Sequence, residues 1–178
     1  VVLVTDRAAY ANLCRLLTRG RRNAPKGECF LTFKDLAEHA EGLLGLVLLP
    51  SLLRRDEPEQ ELLRYRKLFG DRCYALAELH LGPEDQRLRQ RMSNLAREAA
   101  VPLAVSNDVH YHISDRHFLQ DVLTAIRHHC TVANLGDRMF PNGERYLKSP
   151  EQMEELFRDS PDAVARSVEI ADRCHFSL

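Results

Sequence analysis

Four short apolar runs, each followed by a segment with helical periodicity, constrain the fold of this 178-residue chain more than any other feature. The runs lie near residues 1, 45, 73 and 102. A strand followed by a covering helix, repeated along a chain, is typical of an α/β fold with a parallel sheet. We therefore predict parallel strands with covering helices, and a helical C-terminal end with helices beginning at Ser149 and Ser160.

The first helix is predicted to begin after the N-cap Asp6 and to run to about Thr18, where Gly20 ends it. The segment 19–27 that follows is basic, contains glycine and proline, and is predicted to be a loop. Its cations are Arg19, Arg21, Arg22 and Lys26. Two interpretations stay open for them: contact with a phosphate backbone, or plain solvation of a short basic loop.

Two later helices have apolar residues at helical spacing, so each predicts a face that packs inward. One runs from Pro58 to Phe69, with Leu62 and Leu63 on the inward face. The other is predicted from Ser114 to about residue 129. Its predicted inward residues are Phe118, Leu119, Val122, Leu123 and Ile126.

The composition is ordinary for a globular protein, with 44% hydrophobic and 29% charged residues. The net charge of −1 means that any contact with nucleic acid must be local. No apolar run approaches the ~20 residues that cross a bilayer, and no signal peptide is recognisable, so we expect no membrane partner. The five cysteines are scattered, without a Cys-x-x-Cys pair, which favours reduced thiols and a cytoplasmic location.

The chain begins directly on the apolar run Val1–Val4, with no initiator methionine and no leading turn. We therefore expect it to be a piece of a longer polypeptide. We also expect Val1–Val4 to pair with another strand, because an unpaired buried strand would leave backbone polar groups unsatisfied.

The residues after the fourth strand have the chemistry of a metal site. Asp108, His110 and His112 alternate along the chain, and alternate residues of an extended backbone point to the same side. A carboxylate and imidazoles that project together suit a borderline divalent metal. The alternative is that these residues cap the next helix and face solvent.

The preceding strand ends in residues of the same kind, Glu78 and His80. In parallel α/β folds functional side chains gather at the carboxyl ends of the strands. If the two strand ends are level, groups of the two strands lie within about 10 Å of each other, because neighbouring strands are about 5 Å apart. We therefore predict a site for Zn, Mn or Mg formed by Glu78, His80, Asp108 and His110.

The segment 106–111, Ser-Asn-Asp-Val-His-Tyr, resembles the last metal-binding motif, Asp-x-His, of the polymerase and histidinol phosphatase (PHP) domain of bacterial C-family DNA polymerases. Further similar segments span nearly the whole chain: 10–13, 18–22, 26–28, 77–83, 119–127, 140–148 and 171–174. The basic loop followed by Lys-Gly-Glu, together with Glu-Leu-His-Leu-Gly-Pro at 78–83, is most similar to the error-prone, damage-induced branch.

The resemblance implies a partial, distorted (β/α) barrel with up to three divalent ions, which some members use for phosphoester hydrolysis or proofreading and others have lost. Only Asp-x-His carries over cleanly, onto Asp108 and His110; the family's opening His-x-His motif is absent. The resemblance further implies that residues 1–145 are the C-terminal portion of a PHP domain without its first strands. Residues 146–178 would be a helical segment that leads toward the polymerase core.

Three functions stay open. The first is a fragment of an error-prone DNA polymerase that uses Mg, with DNA and other replication or damage-response proteins as partners, and with a phosphoesterase site that activates water against a phosphodiester. The second is a non-catalytic structural module of that polymerase. The third is a stand-alone metal-dependent phosphoesterase. In each case we expect no nucleotide incorporation by this chain alone, because it has no clustered palm carboxylates.

Overall fold

The structure, a computed structural model, describes residues 1–177 and is built around one open sheet of four strands. The strands follow one another across the sheet in chain order: β1 (Val2–Val4), β2 (Leu43–Leu48), β3 (Cys73–Glu78) and β4 (Leu103–Ser106). β2, β3 and β4 are parallel. The predicted α/β class is confirmed, and the sheet does not close, as expected of a partial barrel.

The prediction that all four strands are parallel is wrong for β1, which pairs antiparallel with β2. Val4 lies opposite Leu43, and the Thr5 hydroxyl donates to the Gly42 carbonyl at 2.8 Å, so the end of β1 meets the start of β2. The reason is the path of the chain between these strands, because Gly42, just before β2, lies close to Ala9, near the end of β1. The connection returns the chain to the end it left, which is the condition for antiparallel pairing. Val1–Val4 does pair with another strand, as expected.

Eight α-helices lie within residues 1–177. They are α1 (Arg7–Arg22), α2 (Phe33–Glu38), α3 (Leu49–Leu52), α4 (Pro58–Phe69), α5 (Asp85–Glu98), α6 (His117–Arg127), α7 (Pro150–Leu156) and α8 (Pro161–Asp172). The bounds of α4 are those predicted, and Ser149 caps α7 in a complete capping box, also as predicted.

The sheet is covered on both faces because successive strand residues point in opposite directions. On one face, Leu43 and Val47 pack against α1, α3, α4 and α5. On the other face, Leu44 and Tyr74 pack with Ile170 of α8. Gly45 is essential to the first face, since a Cβ atom there would overlap the ring of Phe69.

The first helix continues four residues beyond its predicted end, so the prediction that Gly20 ends it is wrong. Gly20 is buried inside α1, where a side chain would overlap Cys29 and Leu31. The glycine therefore allows the following chain to approach the helix closely. As a consequence Arg19, Arg21 and Arg22 belong to the last turn of α1 and not to a loop.

The prediction for α6 is wrong in its orientation. Its apolar residues face solvent: Phe118 is 68% exposed and Ile126 is 65% exposed, and Leu119 and Leu123 are also exposed. Asp121 and Ala125 are the buried residues of this helix. The helix packs mainly on the short turns that flank it, and none of its residues belongs to the hydrophobic clusters on the two faces of the sheet.

Candidate metal centre

The candidate site lies where β3 and β4 end side by side. Glu78 is the last residue of β3 and is paired in register with Ser106, the last residue of β4. Because the strands are parallel neighbours, the residues that follow them emerge at the same edge of the sheet. His80 follows one strand by two residues, and Asp108 follows the other by two residues.

Three of the four predicted ligands come together. Glu78, His80 and Asp108 each offer one ligand atom, and these atoms all lie within 4.8 Å of one another. Within residues 1–177 this Glu–His–Asp group is the one cluster of three such residues. The distance is well inside the 10 Å expected from the strand spacing.

The fourth predicted ligand, His110, stays outside this group. The expectation of an extended backbone from Asp108 to His112 is wrong, because β4 ends at Ser106 and Asp108 has a left-handed backbone with φ of 45°. Asp and Asn adopt that conformation more readily than most residues. His110 Nε2 still lies 3.5 Å from Asp108 Oδ2, next to the group but not part of it, and His112 is exposed.

A later segment of the chain holds the two strand ends in place. The buried Asn107 side chain donates from Nδ2 to the carbonyls of Glu144 at 3.1 Å and Tyr146 at 2.6 Å. Asn142 donates in the same way to the His80 carbonyl at 2.6 Å. These bonds join residues that are 37 to 62 positions apart in sequence. No spacing in the sequence signalled them, although the Asn-Gly turn at 142–143 marks where the segment bends.

Arg145 is the second feature of the site that sequence reasoning missed. Its Nη1 contacts Asp108 Oδ2, and its guanidinium carbon lies 4.3 Å from the centroid of the Phe140 ring. The Arg145 side chain is 18% exposed, whereas that of Asp108 is 43% exposed. The site thus contains one permanent cation beside its two carboxylates.

Burial controls the protonation of the two residues that end β3. Burial, and to a lesser extent the Asp108 carboxylate, raises the pKa of Glu78 to about 7, although Arg145 opposes the shift. Burial also lowers the pKa of His80, and the positive charge of Arg145 lowers it further. The imidazole is therefore held neutral, which is the form that binds metals.

The donor set fits a divalent cation. His80 Nε2 lies 3.3 Å from the Asn107 carbonyl oxygen. Because a carbonyl only accepts hydrogen bonds, this contact places the proton on Nε2 and leaves Nδ1 with a free lone pair. One imidazole nitrogen and two carboxylates are ligands that Zn²⁺ and Mn²⁺ accept.

The chain is similar in sequence to error-prone DNA polymerases. A protein named "Error-prone DNA polymerase 1" from Agrobacterium fabrum is 44% identical over 178 residues, and "Error-prone DNA polymerase" from Caulobacter vibrioides is 42% identical over 174 residues. The chain is homologous to a segment of error-prone DNA polymerases. It is aligned over 100% and 98% of its length respectively, and spans 16% of each relative. No protein-family model matches the chain.

The predicted resemblance to the error-prone polymerase branch is thereby confirmed. A third error-prone DNA polymerase, from Rhodopirellula baltica, is 40% identical over 187 residues. The names of these polymerases say nothing of a PHP domain, so that part of the resemblance stays a prediction. The same holds for the division of the chain at residue 145.

The basic residues predicted to contact DNA lie on α1 and just after it, not in the Glu–His–Asp group. Arg19 forms ion pairs with Asp35 and Glu38, while Arg21, Arg22 and Lys26 are exposed. A role in binding nucleic acid stays a prediction for these residues. Within residues 1–177, no helix has both the length and the apolar character needed to cross a membrane.

Proposed function

We propose that this chain is a PHP-type segment of an error-prone, damage-tolerant DNA polymerase, and that its Glu–His–Asp group binds one divalent cation. Two observations support the proposal: the homology covers the whole chain, and Glu78, His80 and Asp108 bring their ligand atoms within 4.8 Å of one another. The proposed metal site rests on the second observation.

The chemistry of the donors favours Zn²⁺ or Mn²⁺ over Mg²⁺, because imidazole is a poor ligand for magnesium. A bound divalent cation would supply Lewis-acid stabilisation of charge on a phosphoryl group. The residues of the chain have separate parts in this site. Asn107 orients the His80 ring through its carbonyl, and the carboxylates of Glu78 and Asp108 would supply the oxygen ligands. Because burial raises the pKa of Glu78 to about 7, metal binding near neutral pH would displace a proton from this carboxyl.

A more specific form of this proposal is that the metal site hydrolyses phosphoesters. Three protein ligands leave coordination positions open for substrate, which is the arrangement of catalytic and not of structural zinc sites. The ion pair of Arg145 with Asp108 favours instead a site without catalysis, in a module that organises its neighbours. The names of the relatives, all polymerases, favour both versions over a stand-alone phosphoesterase.

We extend the proposal to the activity, the location and the partners of the whole polymerase. We infer DNA as the polymeric substrate, Mg²⁺ as the ion of nucleotide addition, a cytoplasmic location, and other replication or damage-response proteins as partners. We also infer that residues 1–145 form the PHP-type portion and that residues 146–178 lead toward the polymerase core. The exposed cations Arg21, Arg22 and Lys26 are the residues of this chain suited to a phosphate backbone.

Calorimetric titration of the chelator-treated chain with Mn²⁺ and with Zn²⁺ tests the metal site. We expect one site, and at least a tenfold loss of affinity in Glu78→Gln and in Asp108→Asn, because each variant removes a charged ligand. His112→Gln is the matched control, since His112 is exposed and lies outside the group.

Two results would contradict the proposed site. One is the absence of binding at millimolar metal. The other is an equal loss of affinity in His112→Gln and in the two ligand variants, which would place the metal on surface residues.

A further inference from the structure

The guanidinium of Arg145 occupies a position that a metal ion would compete for. It contacts Oδ2 of Asp108, a member of the Glu–His–Asp group. A guanidinium stays charged throughout the pH range in which proteins are folded, so it cannot yield by losing a proton. A divalent cation that binds Asp108 must therefore either displace this group or bear its repulsion.

The backbone of Arg145 is fixed at the edge of the site. Its carbonyl oxygen accepts hydrogen bonds from the backbone N–H of His110 at 2.8 Å and from that of Tyr111 at 3.3 Å. The Lys148 ammonium, which pairs with Glu144 at 3.0 Å, holds the next turn of the same segment. The backbone cannot move away from the site unless these bonds break, so only the side chain can yield.

An aromatic ring also holds the side chain of Arg145 beside Asp108. Its guanidinium carbon lies 4.3 Å from the Phe140 ring centroid, in the range of a cation–π contact, and Phe140 packs edge-on against His110 at 4.7 Å. The Oδ2 atom of Asp108 is also the one that faces His110. The arginine is thus placed by an aromatic ring as well as by its ion pair.

We propose that Arg145 is an internal counter-cation that competes with a divalent cation for Asp108, so that metal binds only as the guanidinium leaves Oδ2. This inference rests on the proposed metal site. It assigns Arg145 the role of a positioning residue that sets the metal affinity of the site, and it explains how two carboxylates are held together in the metal-free chain.

The test is a titration with Mn²⁺ and Zn²⁺ of the full chain and of Arg145→Met, which keeps an unbranched side chain as far as the position of Nε and removes the charge. We expect about tenfold tighter binding in Arg145→Met, because a full charge beside a ligand is lost. Arg145→Lys keeps the charge and is expected to stay within about threefold of the unaltered chain.

The control is Arg173→Met, which removes the same charge at the opposite end of the sheet, where Arg173 pairs with Asp71 at 2.9 Å. It is expected to leave metal affinity unchanged. Circular dichroism melting of every variant establishes that each is folded.

Each outcome decides the inference. Metal binding that is tighter in Arg145→Met than in the unaltered chain, with no change in Arg173→Met, supports it. Binding that appears in Arg145→Met and is absent in the unaltered chain supports it too, and would also show that the unaltered chain is not a metal protein. Equal or weaker binding in Arg145→Met, beside normal binding in the unaltered chain, overturns the role of Arg145 and leaves the metal site intact. Failure of both chains to bind overturns both proposals.

Discussion

Helices α4 and α6 have similar apolar patterns but opposite surroundings. In α4, Leu62 and Phe69 are buried on the sheet at 0% and 2% exposure. In α6, Phe118 and Ile126 keep about two thirds of their surface in solvent, and the small Ala125 is buried instead. Both helices are amphipathic, so their sequences alone do not distinguish them.

The difference lies in what each helix meets, not in the helix itself. α4 connects two neighbouring parallel strands, and a right-handed crossover places such a helix on the face of the sheet. α6 follows β4, and no strand comes after it within residues 1–177, so no crossover within these residues places it on the sheet. Helical periodicity identifies residues that share a face, and topology decides whether that face is covered.

The largest effect is expected from Leu62→Ala on the covered helix. Leu62 is fully buried, so the substitution leaves a cavity under α4 and should lower the free energy of unfolding by about 3 kcal/mol. Urea denaturation measures this loss. Leu63→Ala, one residue further on the same helix and 39% exposed, is the control and should cost less than about 1 kcal/mol. Equal losses would mean that α4 does not pack as described.

Glu78 gives a second test on the covered side of the molecule. Its burial at the end of β3 raises the pKa of this carboxyl from 4.5 to about 7. The folded chain binds more protons than the unfolded chain between these two values. The contribution of Glu78 to the free energy of unfolding therefore falls as the pH rises from about 4.5 to about 7. The lowered pKa of His80 acts in the opposite direction, since its contribution is lost as the pH falls.

Glu78→Gln isolates the carboxyl from the histidine. We expect the difference in free energy of unfolding between Glu78→Gln and the unaltered chain to shift by on the order of 2 kcal/mol in favour of the variant from acidic to mildly alkaline pH. Urea denaturation at several pH values, in the presence of a chelator, measures the shift. A difference independent of pH would show that Glu78 has an ordinary pKa.

The smallest effect is expected on the uncovered helix. Phe118→Ala removes an exposed ring and should change the free energy of unfolding by less than about 0.5 kcal/mol. Ala125→Leu on the same helix is the control, because Ala125 is 4% exposed and a larger side chain there should cost about 1–3 kcal/mol. A large loss of stability in Phe118→Ala would contradict the contrast between α4 and α6, since it would mean that the apolar face of α6 is covered.

Local signals in the sequence predicted much of this molecule. The four strands, the bounds of α4, and the capping box at Ser149 follow from patterns within a few residues. The meeting of Glu78 with Asp108 was also predictable, because β3 and β4 are consecutive strands of a parallel sheet.

The remainder depends on contacts between distant parts of the chain. The antiparallel β1 required knowledge that the connection between β1 and β2 returns the chain to the end it left. The pairing of Arg145 with Asp108 joins residues 37 positions apart, and no periodicity records such a contact. The left-handed backbone at Asp108, which ends the extended conformation expected up to His112, is a property of a single residue and likewise has no sequence pattern.

The bonds from residues 142–146 to the two strand ends have a consequence for the order of events on the ribosome. The N-terminal part of the chain is synthesised first, so β3 and β4 leave the exit tunnel before residues 142–146, which hydrogen-bond to their ends. Until that segment arrives, His80 lacks the Asn142 bond to its carbonyl and Asp108 lacks its arginine. Before residue 145 is translated, the Asp108 carboxylate therefore has no arginine partner. Arg145 supplies that partner once the segment has emerged and folded into place.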